Sequence, residues 1–411
     1  MTILSIFSTF LKNFAYNFTK IFFCANIFLM KFMTEKKMKR RLFSLIALIL
    51  VAFFTLSGCD GCTTYPELSF NNAFNGGSGE DSFDAKTNYT EVIKYTVVHD
   101  ASTMNEELKN NENVTVSIQN GEYQTTLRVL SSFSEAETQL KTIYNDQTIS
   151  IKSDIIDSLT ENNLNAYMLE SKLSIPVKYT FLTAKGTEEV LKRVDTITST
   201  AIFCNRSFVY APIYSHTVAD YTILQYNGAG AVPIITQSTS KIKYQKDSYS
   251  VEYVYNGESY SGVKSNSVTI SNTYDYKYKT VVDNAMLFFA LRNFPIENQK
   301  VEGLPTVVAN YGEAQLLAVK NAGSITQRVE DLSYNGEKES YDISVSTYTF
   351  NKNEADQAGA MQKVYIQNKV ENSPVPYKSL MIKYEEPLTT GLNYVSLGSL
   401  VYTLSSIEFS K

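Results

Sequence analysis

Period-two alternation of apolar and polar side chains dominates the chain from Glu91 onward. Tyr249, Val251, Tyr253 and Tyr255 share one face of a strand, as do Tyr274, Tyr276 and Tyr278, with Val268 and Ile270 continuing the pattern between them. Asn120-Gly121, Asn227-Gly228, Asn256-Gly257 and Asn335-Gly336 each separate strand-like runs. Asn-Gly tolerates the positive φ angles of tight hairpins, so these four sites predict antiparallel connections. Lys178–Thr183 and Thr196–Phe203 read as two strands around Lys185-Gly186, and the last strands are expected at Tyr341–Phe350, Gln362–Gln367, Lys378–Tyr384 and Gly398–Glu408. Helices are few. Ser134-Glu135-Ala136-Glu137 has capping-box spacing ahead of Leu140, Ile143 and Tyr144. Asp283 caps a second run, with Leu287, Ala290, Leu291 and Phe294 at helical spacing, Met286, Phe288 and Phe289 on the other face, and Pro295 as the stop. A helix apolar nearly all round belongs in a core. The expected fold is mainly β (α+β): long antiparallel strands forming a curved sheet or half-barrel with one or two packed helices.

The amino terminus breaks this pattern. Lys39, Arg40 and Arg41 precede an uncharged, mostly apolar run from Leu42 to Leu56, then Ser57, Gly58 and Cys59. A cationic start, an apolar stretch too short to span a bilayer and small residues at the end form the layout of an export signal. Residues 38–58 are therefore read as a signal peptide, with translation starting at Met38 or Met33. Residues 1–37 are then upstream residues outside the translated protein, with an additional membrane segment as the alternative. After Cys59 the stretch to residue 88, with Asn75-Gly76-Gly77-Ser78-Gly79, reads as a flexible tether. A β-rich region is expected over 89–280, and a second, holding the buried helix, over 281–411.

Leu56-Ser57-Gly58-Cys59 resembles the lipobox of bacterial lipoproteins. The resemblance implies cleavage between Gly58 and Cys59 and a lipid, palmitate among its chains, on the Cys59 thiol. It places the protein at the cell membrane, lipid-anchored and facing the extracytoplasmic side of the envelope. Asp60 resembles the inner-membrane retention signal of lipoproteins in hosts with two membranes. The mature body is similar to lipoprotein-carrier and lipid-binding domains of the Lol type, in which a curved sheet and helices enclose an apolar cavity. Asp283-Asn284-Ala285-Met286-Leu287, Leu291-Arg292, Pro376 and Gly398 to Leu404 also resemble uncharacterised exported domains. No binding residue is carried over from either likeness.

Charge and composition narrow the function. The chain holds 37 basic and 42 acidic residues, a formal charge of −5. Cleavage before Cys59 removes eight of those basic residues and one acidic residue, leaving −12. Such a balance speaks against nucleic acid as a partner. Only two histidines are present. His99 has Asp100 beside it, but neighbouring strand residues face opposite ways, so the pair reads as a polar strand end. His216 reads as an exposed loop residue. Glu330-Asp331 and Glu385-Glu386 read as solvated acidic surface. Hydrolase, metalloprotease and P-loop motifs are missing from the sequence, so no catalytic residue, metal ligand or cofactor is expected. Cys62 and Cys204 are expected as two separate thiols, with pairing in an oxidising exterior the alternative. Tyr 29 and Phe 23 against Trp 0 suit strand packing, and tyrosine stripes can also line a groove. The leading expectation is a non-enzymatic binding protein for an apolar ligand or envelope component, with a cavity lined by Leu, Val, Tyr and Phe. The alternatives are an assembly lipoprotein that binds a partner protein and an envelope enzyme.

Overall fold

The computed structural model describes residues 90–159, 165–206, 209–227, 230–265, 267–271, 274–277, 282–290, 301–308, 313–351, 362–368, 380–391 and 394–410. The leader, Gly58, Cys59, the tether, Cys62, Tyr278, Leu291, Arg292 and Pro376 lie outside them. Strand β1 (Thr90–Asp100) leads through the helical turn α1 (Glu106–Lys109) to β2 (Val114–Ile118) and β3 (Gly121–Leu130). Helices α2 (Phe133–Ile143) and α3 (Asp154–Asp157) follow. An antiparallel meander comes next: β4 (Ala166–Leu182), β5 (Glu188–Arg206), β6 (Val209–Tyr226), β7 (Ala231–Tyr244), β8 (Ser248–Tyr255) and β9 (Glu258–Ser265). Strands β10 (Ser267–Ser271) and β11 (Tyr274–Lys277) pair only with each other among the described residues. The rest is β12 (Val282–Asp283), α4 (Leu287–Ala290), β13 (Val301–Val308), β14 (Glu313–Tyr334), β15 (Glu337–Asn351), β16 (Gln362–Gln367), β17 (Met381–Thr389) and β18 (Ser396–Ser410).

Among the described residues, one 16-stranded sheet holds every strand except β10 and β11. Its midline is β1, antiparallel to β3 on one side and to β18 on the other. Beyond β3 the order runs from β4 to β9, and beyond β18 it runs back from β17 to β12. Strands β1 to β9 and strands β12 to β18 thus form two runs of the sheet that meet at the β1–β18 seam. In the second run Ser333 and Tyr334 also pair in parallel with Ser406 and Ile407, which closes β14 to β18 into a five-stranded ring. The curved, mainly antiparallel sheet expected from the alternation is the observed architecture.

Aromatic side chains fill the seam. Tyr95, Tyr123, Tyr384 and Tyr402 are all buried, with ring centroids 5.2 to 5.8 Å apart from neighbour to neighbour. Each phenol inside needs a hydrogen-bond partner. Tyr95 donates to the Met381 carbonyl, Tyr384 to Gln362 Oε1 and Tyr402 to Glu386 Oε2. At these positions the tyrosine wealth of the sequence is core rather than groove.

The turns divide into two kinds. Asn256-Gly257 and Asn335-Gly336 adopt the positive φ pairs of two-residue hairpins, at 47° and 89° and at 48° and 91°. Asn227 starts the four-residue link between β6 and β7. Asn120-Gly121 differs from its expected hairpin role, because β2 and β3 do not pair: both lie end to end along β4. What Gly121 supplies is closeness. A Cβ there would sit 2.5 Å from the Ser174 carbonyl oxygen and 2.9 Å from Ile175 Cγ1. Gly121→Ala is expected to lower the unfolding free energy by about 1–3 kcal/mol through overpacking against backbone, measured as a shift of the urea midpoint.

Two helix starts also differ from expectation. The N-cap of α2 is Ser132, whose hydroxyl accepts from the Glu135 amide, and Glu135 Oε2 accepts in turn from Ser131. The capping box therefore lies two residues earlier than Ser134. Leu140 is buried as expected, whereas Ile143 is exposed. Asp283 does cap the chain ahead of α4, accepting from the Ala285 and Met286 amides at 2.9 and 3.3 Å. Residues 284–286 form a turn, so α4 begins at Leu287 and is described only to Ala290. Met286 and Phe289 are buried, the latter against Phe203 at 4.5 Å, which agrees with an apolar core segment.

Candidate functional site

Strands β6, β7 and β8 carry the candidate site. Tyr214 lies opposite Lys243, which lies opposite Ser250; one step along, His216 lies opposite Lys241 and Lys241 opposite Glu252. Alternation places these six residues on one face and Ser215, Ile242, Tyr244, Tyr249 and Val251 on the other. The segment after α2 comes across the polar face. Thr148, Ile149 and Ser150 from this segment, with Tyr214, Lys241, Lys243, Ser250 and Glu252 from the sheet, line a groove of about 220 Å³. Hydroxyls and charges make up most of its wall. It differs from the apolar cavity expected from the sequence, because the buried Leu, Val, Tyr and Phe side chains among the described residues pack against one another in two clusters.

Asp146 and Tyr144 tie the segment after α2 to the sheet. Asp146 forms an ion pair with Lys241 at 2.7 Å. The Tyr144 hydroxyl lies 2.9 Å from both Thr200 Oγ1 and the His216 carbonyl oxygen. Hydrogen bonds from Lys241 and Thr148 hold the Asp146 carboxyl well below the usual carboxylate range. Burial pushes the Tyr144 phenol up to about 12.

His216 is the main correction to the sequence reading. It is a strand residue with only 4% of its surface exposed. Its ring stacks on Tyr144 at 3.7 Å, and the Tyr214 ring lies edge-on at 6.5 Å. Neither ring nitrogen has a hydrogen-bond partner among the described residues, and the same holds for the buried Tyr214 hydroxyl. Burial, with Lys241 adding to it, lowers the His216 pKa to about 4. Burial, reinforced by Tyr144 and Glu252, raises that of Tyr214. Histidine and phenol therefore both stand neutral at pH 7.

The other sequence candidates are dispersed. His99 Nε2 lies 2.7 Å from the Leu397 carbonyl oxygen, while Asp100 accepts from the Ser102 amide. That is a polar strand end, as expected. Ser215 Oγ donates to the buried Asp283 carboxylate, whose pKa is raised by burial. Ser215 and His216 are neighbours in one strand and face opposite sides, so serine, histidine and aspartate do not converge. Glu330 is exposed and held by Arg328 and Ser340, and Asp331 sits at a strand bulge with φ 50°. Glu385 and Glu386 are less solvated than expected. Glu385 accepts from Tyr365 and pairs with Lys383 at 2.7 Å, whereas Glu386 turns to the opposite face and accepts from Tyr402. Cys204 is fully buried, in the cluster that includes Ile202 and Ile213.

The sequence reading singles out none of the groove-lining residues. A signal was present: in Lys241-Ile242-Lys243-Tyr244 and Tyr249-Ser250-Val251-Glu252 the polar positions alternate with the apolar ones across a short turn.

Comparison with known proteins assigns neither a family nor a role. The chain matches no protein-family model and no curated protein. It is similar to the crystal structure of a β-barrel-like protein of a domain of unknown function from Brucella abortus. The likeness covers 79% of this chain and 98% of that one, at 8% identity and a TM-score of 0.36.

Proposed function

We propose that this chain is an exported, lipid-anchored protein whose β-rich body is a non-enzymatic binding module for a small envelope component. One observation carries the binding reading: the groove on β6–β8 is bordered by a buried phenol with no hydrogen-bond partner among the described residues. An unpaired buried polar group costs about 1–3 kcal/mol, a cost that a bound ligand removes. The placement rests on the basic cluster, apolar run and Leu56-Ser57-Gly58-Cys59 of the leader. The acyl chains on Cys59 would then retain the body at the membrane, and residues 59–88 would set its reach.

Two experiments test the parts separately. Cells fed labelled palmitate are expected to label the wild-type chain and not Cys59→Ser, which leaves the membrane fraction. Label on Cys59→Ser, or none on the wild type, overturns the anchor. For the body, native mass spectrometry of the chain purified from its host envelope is expected to show a small non-covalent adduct. Ser250→Trp, which fills the groove, should abolish it. An adduct that survives in Ser250→Trp, or none in the wild type, overturns the groove as the binding site.

An assembly role has an observation of its own. The edge strand β9 carries Val263 at 74% exposure and Tyr260 at 38%, and an open edge is a template for pairing with another chain.

A further inference from the structure

We infer that the β6–β8 groove binds a small zwitterion, of the kind formed by a free amino acid or the ends of a dipeptide, with its carboxylate at Lys243 and its ammonium at Glu252. The inference rests on the binding reading above and names its ligand class.

The charges on the groove wall carry it. Lys241 and Glu252 are cross-strand partners, the arrangement in which opposite charges ordinarily pair. Lys241 instead turns to Asp146 of the covering loop. Glu252 is thereby left without an ion pair among the described residues, and Lys243, one step further along β7, also has none. The wall thus presents one positive and one negative charge, on diagonal positions of β7 and β8, with no ion pair between them among the described residues.

Lys241, Lys243, Asp146 and Glu252 together carry no net charge. A simple anion would gain Lys243 and be repelled by Glu252, and a simple cation would meet the reverse. A ligand with both charges meets both partners. The neutral groups agree: Thr148, Ser150 and Ser250 bring hydroxyls to the groove. The Tyr214 phenol stands protonated beside them, a donor in want of an acceptor. A volume of about 220 Å³ equals that of roughly seven liquid waters, which suits a ligand of this size.

The test is ligand-observed saturation-transfer NMR on the full chain with glycylglycine, run beside acetate, ethylammonium and glucose as single-feature probes. Glycylglycine is expected to bind, with at least tenfold weaker affinity in Lys243→Gln and in Glu252→Gln and no change in His99→Gln. Circular dichroism confirms that the variants are folded. Acetate binding as well as glycylglycine, glucose binding alone, no binding at all, or wild-type affinity in either charge variant overturns the inference. The adduct experiment keeps the two proposals apart. A groove-dependent adduct that is not a zwitterion sinks the ligand class and leaves the binding module standing.

Discussion

Tyr402→Ala is expected to lower the unfolding free energy by about 4 kcal/mol, the largest effect of any single truncation at the seam. The side chain is 2% exposed. Its ring meets Tyr123 edge-on at 5.7 Å and Tyr384 at 5.2 Å. Removing an aromatic side chain from such a position costs about 3–5 kcal/mol, part transfer energy and part cavity. Its hydroxyl also donates to Glu386 Oε2 at 2.7 Å. Tyr402→Phe keeps the ring and drops only this bond, worth about 1.5–3 kcal/mol because the acceptor is charged. The two variants therefore separate packing from hydrogen bonding. Urea denaturation followed by circular dichroism gives both numbers, and equal losses in the two would show that the ring contributes little.

The second large effect is acid sensitivity set by His216. An unfolded histidine titrates near 6.5, and in the folded chain burial lowers this one to about 4. Between those values the unfolded state holds the proton and the folded state does not. Stability from this residue is therefore complete above about pH 6.5 and declines as the pH falls toward 4. The linked loss is about 2–3 kcal/mol. His216→Phe keeps a flat ring against Tyr144 and takes up no proton, so its stability should fall less over this interval. Two neighbouring carboxyls titrate differently. Asp146, lowered by Lys241 and Thr148, loses its contribution only as the pH drops through and below the ordinary aspartate range. Asp283, raised by burial, is protonated more readily in the folded state and opposes the histidine. The difference between His216→Phe and wild type isolates the imidazole, measured as urea midpoints at pH 7, 6, 5 and 4. Parallel curves would mean that His216 takes up its proton without unfolding the chain.

Local chemistry made much of the fold legible. Asn256-Gly257 and Asn335-Gly336 predict their turns because no other common pair adopts two positive φ angles so readily. The alternation of Tyr249, Val251, Tyr253 and Tyr255 predicts a strand because it is unbroken. The misreadings have physical causes as well. Asn120-Gly121 carries the same two letters for another reason, the approach of Ser174, and that approach exists only once β4 has come alongside. His216 looked exposed because Ser215 and Thr217 flank it. The first bonds across the sheet to Asp283 and the second donates to Ser199, contacts that depend on tertiary neighbours. The groove was hidden for a similar cause. Lys241, Lys243, Ser250 and Glu252 are the polar positions of two alternating strands, and they line a groove only once residues 148–150 come alongside.

The seam has a consequence for how the body is made. Strand β18 is synthesised after all the other described strands, yet it pairs with the first of them, Val97 against Tyr402 among other partners. Such contact order is high, and high contact order slows folding. A nascent chain that stops short of residue 396 leaves both β1 and β17 with raw edges where the finished protein has none. Those two edges, not the ordinary rim at β9, are where truncated or stalled chains should stick to one another.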